Sequence, residues 1–434
     1  MFRKAMGELT AWKVSQRRKP LVLKGARQVG KTWLMNEFAH KEYDDSIYVS
    51  FDKDAVAVRV FDETKDPKQI LQRLALMCGK AVLPEKTLII LDEIQECPNA
   101  LGSLKYFNEE ANEYHVIAAG SLLGTYLSGP TSFPVGKVNI NNLYPLSFEE
   151  YLAASDPGMY HYFCGVKSGK DYISAFHNRM TEHYKKYLII GGMPECVQSW
   201  VGREDPEEVG SIQGEIVSLY ENDFTKYSGK VNSGRVLQVF RSIVPQLAKQ
   251  NNEKFMYAAI AKSARAKDFE DAIEWLVSSG IVYRILNISR PEYPLRAFEM
   301  FNYFKLFLLD VGLIKHMARL TNNSILLSEA FQFKGQLAEN YVLEQLLPLL
   351  DYPPNYYAFA QDREIDFIMQ HGELVFPIEV KSGENKNAVS FKSYIDKHKP
   401  DVSVRFSTKE YLKNGAITNI PLYFAGKTFE LIST

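Results

Sequence analysis

The chain has 434 residues and a net charge of −1, from 51 basic and 52 acidic side chains. That length accommodates about two to four domains at roughly 100–200 residues each. Hydrophobic residues make up 46% and charged residues 24%, as in ordinary folded soluble proteins, and the balanced charge excludes nucleic-acid binding driven by an overall basic surface, leaving only a local patch.

The N-terminal "MFRKAMGELTAWKVSQRRKP" has no apolar core of signal-peptide length. Nowhere is there a charge-free apolar run of about 18 residues. A cytoplasmic protein with no membrane contact is expected. Cys78, Cys97, Cys164 and Cys196 form no C-x-x-C pair, so reduced, buried thiols are expected rather than disulfides or a zinc site. The histidines show no H-E-x-x-H or paired spacing that would suggest a metal site.

Residues 1–152 alternate apolar strands with helical segments. The strands are "LVLKG" (21–25), "SIYVSFD" (46–52), "TLIILDE" (87–93), "HVIAAGS" (115–121) and "KVNINNLYPL" (137–146), with a helix over 67–80. This alternation predicts an α/β fold, a mostly parallel sheet with flanking helices. Between the first strand and the next helix lies "GARQVGKT", Gly25-Ala26-Arg27-Gln28-Val29-Gly30-Lys31-Thr32, which fits G-x-x-x-x-G-K-[ST]. The glycines let successive N–H groups face phosphate oxygens, and the following helix adds its positive dipole end. Lys31 then reaches the β- and γ-phosphates, and the Thr32 hydroxyl serves Mg²⁺. A plain glycine turn between strand and helix, or an anion-binding loop without hydrolysis, is the competing reading.

The strand "TLIILDE" ends in Asp92-Glu93. An acid at this strand end holds the Mg²⁺ shell in a P-loop NTPase, which assigns Asp92. Its neighbour Glu93 is placed to deprotonate the attacking water. Ser121 ends another core strand, where open α/β sheets put ligand-contacting groups. Its hydroxyl either meets the γ-phosphate or water, or caps the next helix.

Residues 153–325 read as helical, with a turn at Gly191-Gly192 and Pro194. "GRVLQVFRSIVPQLAKQ", "MYAAIAKSA" and "KDFEDAIEWLVSSG" would be three helices, and "IVYRILNIS" a strand of a β wing, together a winged-helix unit. Residues 230–300 hold eleven Lys/Arg and seven Asp/Glu. Yet "KDFEDAIEWL" carries Asp268, Glu270, Asp271 and Glu274, which would repel phosphates. Arg265 and Lys267 just before it can reach a DNA backbone. Either a packing or protein-contact module or a DNA contact fits.

Residues 326–434 begin with the helix "GQLAENYVLEQLLPLL" and continue into strands "REIDFIMQ" and "ELVFPIEVKS". Folding these strands as a hairpin about Gly372–Glu373 brings Asp366 opposite Glu379, with Lys381 on the same face as Glu379. Facing carboxylates can hold a divalent cation, and a lysine can help activate water. Glu339 on the helix is a further candidate ligand. A half-buried strand with a solvated face gives the same alternation.

In this order, "GARQVGKT", "LIILDEIQECP", "VIAAGSLLG" and "LYPLSFEEYL" resemble the AAA-type ATPases of the archaeal-ATPase-like group. "GGMPECV", "KLFLLDVGLI", "GQLAENYVLEQL" and "REIDFIM…FPIEVKSG" resemble the C-terminal domain of unknown function that accompanies this ATPase. The hairpin spacing resembles the PD-(D/E)XK nuclease core, a restriction-endonuclease-like α/β domain. The resemblance implies an ATPase fold with Lys31, Thr32, Asp92, Glu93 and Ser121 in the roles above. ATP and Mg²⁺ are the expected cofactors, and DNA, protein partners and self-association are the candidate interactions. Where the resembled family carries Gly-Arg before "LYPLSF", this chain has Gly136-Lys137. A lysine is a point charge rather than a rigid fork. Arg179 and Arg203 are the other candidates for an arginine finger, and nothing in their context selects either. The expected function is Mg²⁺-dependent ATP hydrolysis controlling a nuclease-like effector. The alternative is a nucleotide-sensing switch whose C-terminal domain only binds.

Overall fold

A computed structural model describes residues 1–120, 133–227, 232–248, 254–261, 264–327, 333–360, 363–383 and 389–433. The chain divides into two units, residues 1–144 with 278–280, and residues 145–277 with 281–434.

In the first unit the elements run α1 (Ala5–Lys13), β1 (Leu21–Lys24), α2 (Lys31–Glu42), β2 (Asp45–Ser50), α3 (Ala55–Glu63), α4 (Pro67–Cys78), β3 (Thr87–Asp92), α5 (Pro98–Glu110), β4 (His115–Gly120) and β5 (Asn139–Asn142). The five strands form one parallel sheet in the order β2-β3-β4-β1-β5. Every residue of β3 and β4 is buried, as befits central strands of a parallel sheet covered on both faces. Local chemistry sets the helix ends. The Asp54 carboxylate accepts from the Val56 and Ala57 amides at the start of α3. Asp66 does the same for Lys68 at the start of α4, where Pro67 needs no donor. Gly79, at φ 63°, ends α4 in the left-handed region. The expected strand over 137–146 is shorter than anticipated, only Asn139–Asn142. It is an edge strand whose residues are all half-buried or exposed. Helix α3 was not foreseen, because "AVAVRVFDE" reads equally as a short apolar run.

The strand order matters for the site. Lys24 pairs with Gly120 and Leu91 with Ala118, so β1, β4 and β3 all end on one rim of the sheet. β4 lies between the loop-bearing strand and the acid-bearing strand.

The second unit contains α6 (Phe148–Ser155), α7 (Pro157–Gly165), α8 (His177–Ile190), α9 (Pro194–Arg203), α10 (Pro206–Tyr227), α11 (Ser233–Leu247), α12 (Ala266–Ser278), β6 (Val282–Ile288), β7 (Glu299–Leu308), α13 (Val311–Met317), α14 (Asn322–Leu327), α15 (Lys334–Leu346), β8 (Asn355–Ala360), β9 (Arg363–His371), β10 (Leu374–Lys381), α16 (Val389–His398), β11 (Ser403–Ser407), β12 (Leu412–Asn414), β13 (Ile417–Pro421) and α17 (Thr428–Ile432). A helical middle thus precedes a mixed sheet in the order β12-β13-β11-β10-β9-β8-β6-β7. The antiparallel pair β6–β7 joins β8 through Asn287 and Tyr356, so the wing hairpin is part of the C-terminal sheet. "MYAAIAKSA", expected as a helix, forms only a 3₁₀ turn over Tyr257–Ala259 among its described residues.

The turn at Gly191-Gly192 meets "LLDVGL" around one buried carboxylate. Asp310 is fully buried, accepts from the Gly192 amide at 2.5 Å and caps α13 through the Leu313 amide at 3.0 Å. The fit demands glycine. A Cβ on Gly312 would stand 2.6 Å from the Ile190 carbonyl oxygen. Glu344 on α15 is also buried, and Asn340 donates to it.

All four cysteines are free. Cys97 and Cys196 are buried as expected, whereas Cys78 and Cys164 are only half-buried. Among the described residues no helix is long and apolar enough to cross a membrane.

Candidate nucleotide site and a carboxylate cluster

The loop from Gly25 to Gly30 is held by close packing and by one arginine. A Cβ at Gly25 would lie 2.4 Å from the Leu143 carbonyl oxygen, so the loop approaches β5's exit too closely for any side chain. Gly30 caps α2 at φ 91° and Gln28 sits at φ 64°. Ala26 and Val29 are buried, Arg27 is half-buried and Gln28 is exposed. The buried Arg3 donates to the Val29 carbonyl at 3.3 Å and to the Tyr144 carbonyl at 2.7 Å, tying the loop to the end of β5's connection. Arg3 was not anticipated, because nothing in its local sequence points to the loop.

Lys31 folds back over this loop. Its Nζ donates to the carbonyls of Gly25 at 2.9 Å and Ala26 at 2.7 Å. Burial pushes its ammonium down to about 8, against the pull of Glu93 and Asp92. Thr32, one residue on, donates from Oγ1 to Asp92 Oδ2 at 2.7 Å. The hydroxyl expected to serve a cation and the acid expected to hold it are therefore already in contact, although 60 residues apart in sequence.

Asp92 is buried and accepts two more hydrogen bonds, from the Glu93 amide at 3.0 Å and from the Tyr48 hydroxyl at 2.9 Å. Burial and the Asp92 carboxylate push the Tyr48 phenol up to about 12. Glu93 adopts φ 49° and ψ 46°, a left-handed conformation costly for a non-glycine residue. Gln95 Nε2 donates to its Oε2 at 2.6 Å. A carboxylate and a hydroxyl are hard oxygen donors, the kind Mg²⁺ takes alongside waters and phosphates. Ser121 lies outside the described residues, just past the end of β4. The finger candidates all carry ion pairs. Lys137 lies 2.8 Å from Glu109, Arg179 2.6 Å from Asp156, and Arg203 2.9 Å from Glu208.

Family comparison agrees with this geometry, matching residues 17–152 to the description "AAA domain". The chain carries an AAA domain. Two domains of unknown function follow the AAA domain, DUF8612 over residues 181–324 and DUF4143 over 334–424. No curated protein matches the chain. Among solved structures it is similar to a Signal Transduction ATPase with Numerous Domains protein with a tetratricopeptide repeat sensor, from Pyrococcus horikoshii. The identity is 13%, over 81% of this chain and 46% of that one, with a TM-score of 0.29. This chain thus spans under half of that protein's length. It is also similar to the Aeropyrum pernix Orc1 protein in complex with DNA, at 14% identity over 73% of this chain and 91% of that one, TM-score 0.24. The third is Cdc6p from Pyrobaculum aerophilum, at 12% identity over 65% and 86%, TM-score 0.25. The AAA assignment rests on the matched domain and on the loop, the acids and the strand order.

In the second unit β9 and β10 pair antiparallel, with Phe367 opposite Ile378, a register that puts Asp366 beside Glu379. Asp366 Oδ2 accepts from the Val380 amide at 2.6 Å. Glu379 is buried and ion-paired with Lys381, and its Oε2 is buried with no hydrogen-bond partner among the described residues. Burial, then the Asp366 charge, pushes Glu379 up to about 8, and the same two causes push Glu339 on α15 up to about 8. Burial lowers Lys381, but Asp366 and Glu379 outweigh it and hold the ammonium above its ordinary value.

The four residues singled out in sequence therefore share one electrostatic neighbourhood. Sequence reasoning missed two further members. Lys305 on β7 lies 2.6 Å from Glu364, and Glu364 and Glu339 keep it charged against burial. Among the described residues no three His, Cys, Asp or Glu side chains converge as a metal site. The acids of α12 are answered from neighbouring elements: Arg284 on β6 pairs with both Glu270 and Glu274, and Arg235 on α11 lies 3.8 Å from Asp268.

Proposed function

We propose that this protein binds and hydrolyses ATP with Mg²⁺ in its AAA domain, and that turnover there controls an effector in the second unit. The observation that carries the first part is the Thr32–Asp92 contact at 2.7 Å beneath a loop whose lysine is buried. Bound Mg²⁺ would supply charge neutralisation and a template for the phosphate oxygens. The chain's own groups do the rest. The loop amides and the start of α2 receive phosphate, and Lys31 exchanges the Gly25 and Ala26 carbonyls for phosphate oxygens. Thr32 and Asp92 hold the cation's shell. Glu93, oriented by Gln95, accepts the proton of the attacking water. The expected result is Mg²⁺-dependent phosphate release by the purified protein and loss of ATP binding in Lys31→Ala. Turnover equal in that variant and the wild type would remove the assignment.

For the effector we propose a nuclease-like site of Glu339, Asp366, Glu379 and Lys381, acting on DNA. Its support is the surplus of carboxylates over lysines within one half-buried cluster around the buried Glu379, which favours taking up a divalent cation. A second reading, a binding module without cleavage, is favoured by the Lys381–Glu379 ion pair and by the lack of three converging ligands among the described residues. Cleavage of DNA in Mg²⁺ or Mn²⁺ by the wild type, abolished in Asp366→Ala, is the expected outcome. Equal cleavage by both, or none by either, leaves the binding module.

A further inference from the structure

Asp92 of the candidate nucleotide site is held in part by a residue outside the loop and the acid strand. β2 runs parallel to β3 with Tyr48 opposite Ile90 and Ser50 opposite Asp92. Paired residues point to the same face of a parallel sheet, and so do residues two apart. Tyr48 therefore projects on the face that carries the Asp92 carboxylate, and its ring reaches forward to bring the hydroxyl 2.9 Å from Oδ2. That oxygen is the one Thr32 also meets, while Oδ1 takes the Glu93 amide. Three donors from a neighbouring strand, the loop helix and the following residue thus fix one carboxylate. Two of them have other roles. Thr32 is to serve the cation, and the Glu93 amide belongs to a residue in a strained conformation. Tyr48 is neither in the loop nor a proposed ligand, and besides Asp92 its phenol meets the Ser50 side chain of its own strand.

Resting on the ATPase reading above, we propose that Tyr48 is a positioning residue for Mg²⁺, whose hydroxyl holds Asp92 in the orientation that receives the cation. It touches neither nucleotide nor metal. Its effect passes through the carboxylate, as outer partners of metal ligands act in general. Tyr48 is 42% exposed. Removing its hydroxyl therefore leaves no buried gap, and the Asp92 carboxylate keeps two donors. The fold should tolerate Tyr48→Phe.

The test is a Mg²⁺ titration of binding of a fluorescent, non-hydrolysable ATP analogue to the full chain, with thermal unfolding measured alongside. Tyr48→Phe should raise the Mg²⁺ concentration at half-saturation by on the order of tenfold. Its analogue affinity in EDTA and its melting temperature should match the wild type. Thr32→Ala, which removes a proposed ligand, marks the position of a lost site on the same axis. A Tyr48→Phe curve superimposed on the wild type would overturn the inference and leave the ATPase reading standing. So would an equal loss of affinity in EDTA and in Mg²⁺, the mark of a structural role. A wild-type protein that binds the analogue without regard to Mg²⁺ would remove both.

Discussion

Purified Glu93→Gln protein is expected to bind ATP as the wild type does and to hydrolyse it about 10²- to 10⁴-fold more slowly. The substitution is nearly isosteric and takes away only the acceptor for the water's proton. The left-handed backbone at φ 49° and the Glu93 amide's bond to Asp92 do not depend on the side-chain charge. Gln95 can still donate to the remaining carbonyl oxygen of the new amide. Lys31, Thr32 and Asp92 are untouched, so nucleotide and cation binding should persist. Equilibrium binding of labelled ATP, together with single-turnover phosphate release, separates the two quantities. Turnover within threefold of wild type would mean that Glu93 is not the base.

The second large effect concerns stability and pH, through Asp310. Burial raises this carboxyl from 3.8 to about 6, although the amides of Gly192, Leu313, Gly312 and Met193 favour its charged form. The sign follows from which state holds the proton. Below about pH 4 both folded and unfolded chains are protonated at this group, and it costs nothing. Between about pH 4 and pH 6 the unfolded chain has lost its proton while the folded one keeps it, so stability falls as pH rises. Above about pH 6 both are ionised and the loss levels off at about 3 kcal/mol. Glu344 is driven up by burial and by Asp310, and adds in the same direction.

Asp310→Asn removes one titrating group but sets an amide NH₂ among the backbone N–H donors that face this carboxyl, at a cost of about 1–3 kcal/mol at every pH. The variant should thus be less stable at pH 4.5, and its stability should fall less steeply up to pH 6, by at most about 1.4 kcal/mol per pH unit. Urea unfolding across pH 4–8 measures this. An unchanged slope would show that Asp310 is not the titrating group.

The candidate nucleotide site was largely legible because its pattern is local. Cradling a phosphate requires Gly25 and Gly30 at fixed spacing, and a buried parallel strand ending in acids is written as "TLIILDE". The partners of those residues were not legible. Tyr48 is simply one alternating position in "SIYVS", and its reach to Asp92 depends on β2 lying beside β3, which periodicity does not reveal. Arg3 and Val29 meet only through the packing of α1's approach to the loop. In the second unit, the spacing of Asp366 and Glu379 about a turn was readable as a hairpin. Lys305 and Glu364 are 59 residues apart in different sheet segments, and nothing short-range links them. The turn at Tyr257–Ala259 misled because "MYAAIAKSA" is rich in alanine, and propensity is a weak prior against tertiary packing.

The junction of β6 with β8 has a practical consequence for anyone cutting this chain apart. DUF8612 and DUF4143 meet across a hydrogen-bonded ladder, since β6 and β7 lie in the first and β8 in the second. A fragment starting near residue 326 would carry β8 with its outer row of amides and carbonyls stripped of its neighbour, a ready template for strands of other molecules. It would also lose Lys305 and with it the Lys305–Glu364 ion pair. Aggregation or misfolding of such a fragment would therefore report on a severed sheet rather than on the chemistry of the domain it was meant to isolate.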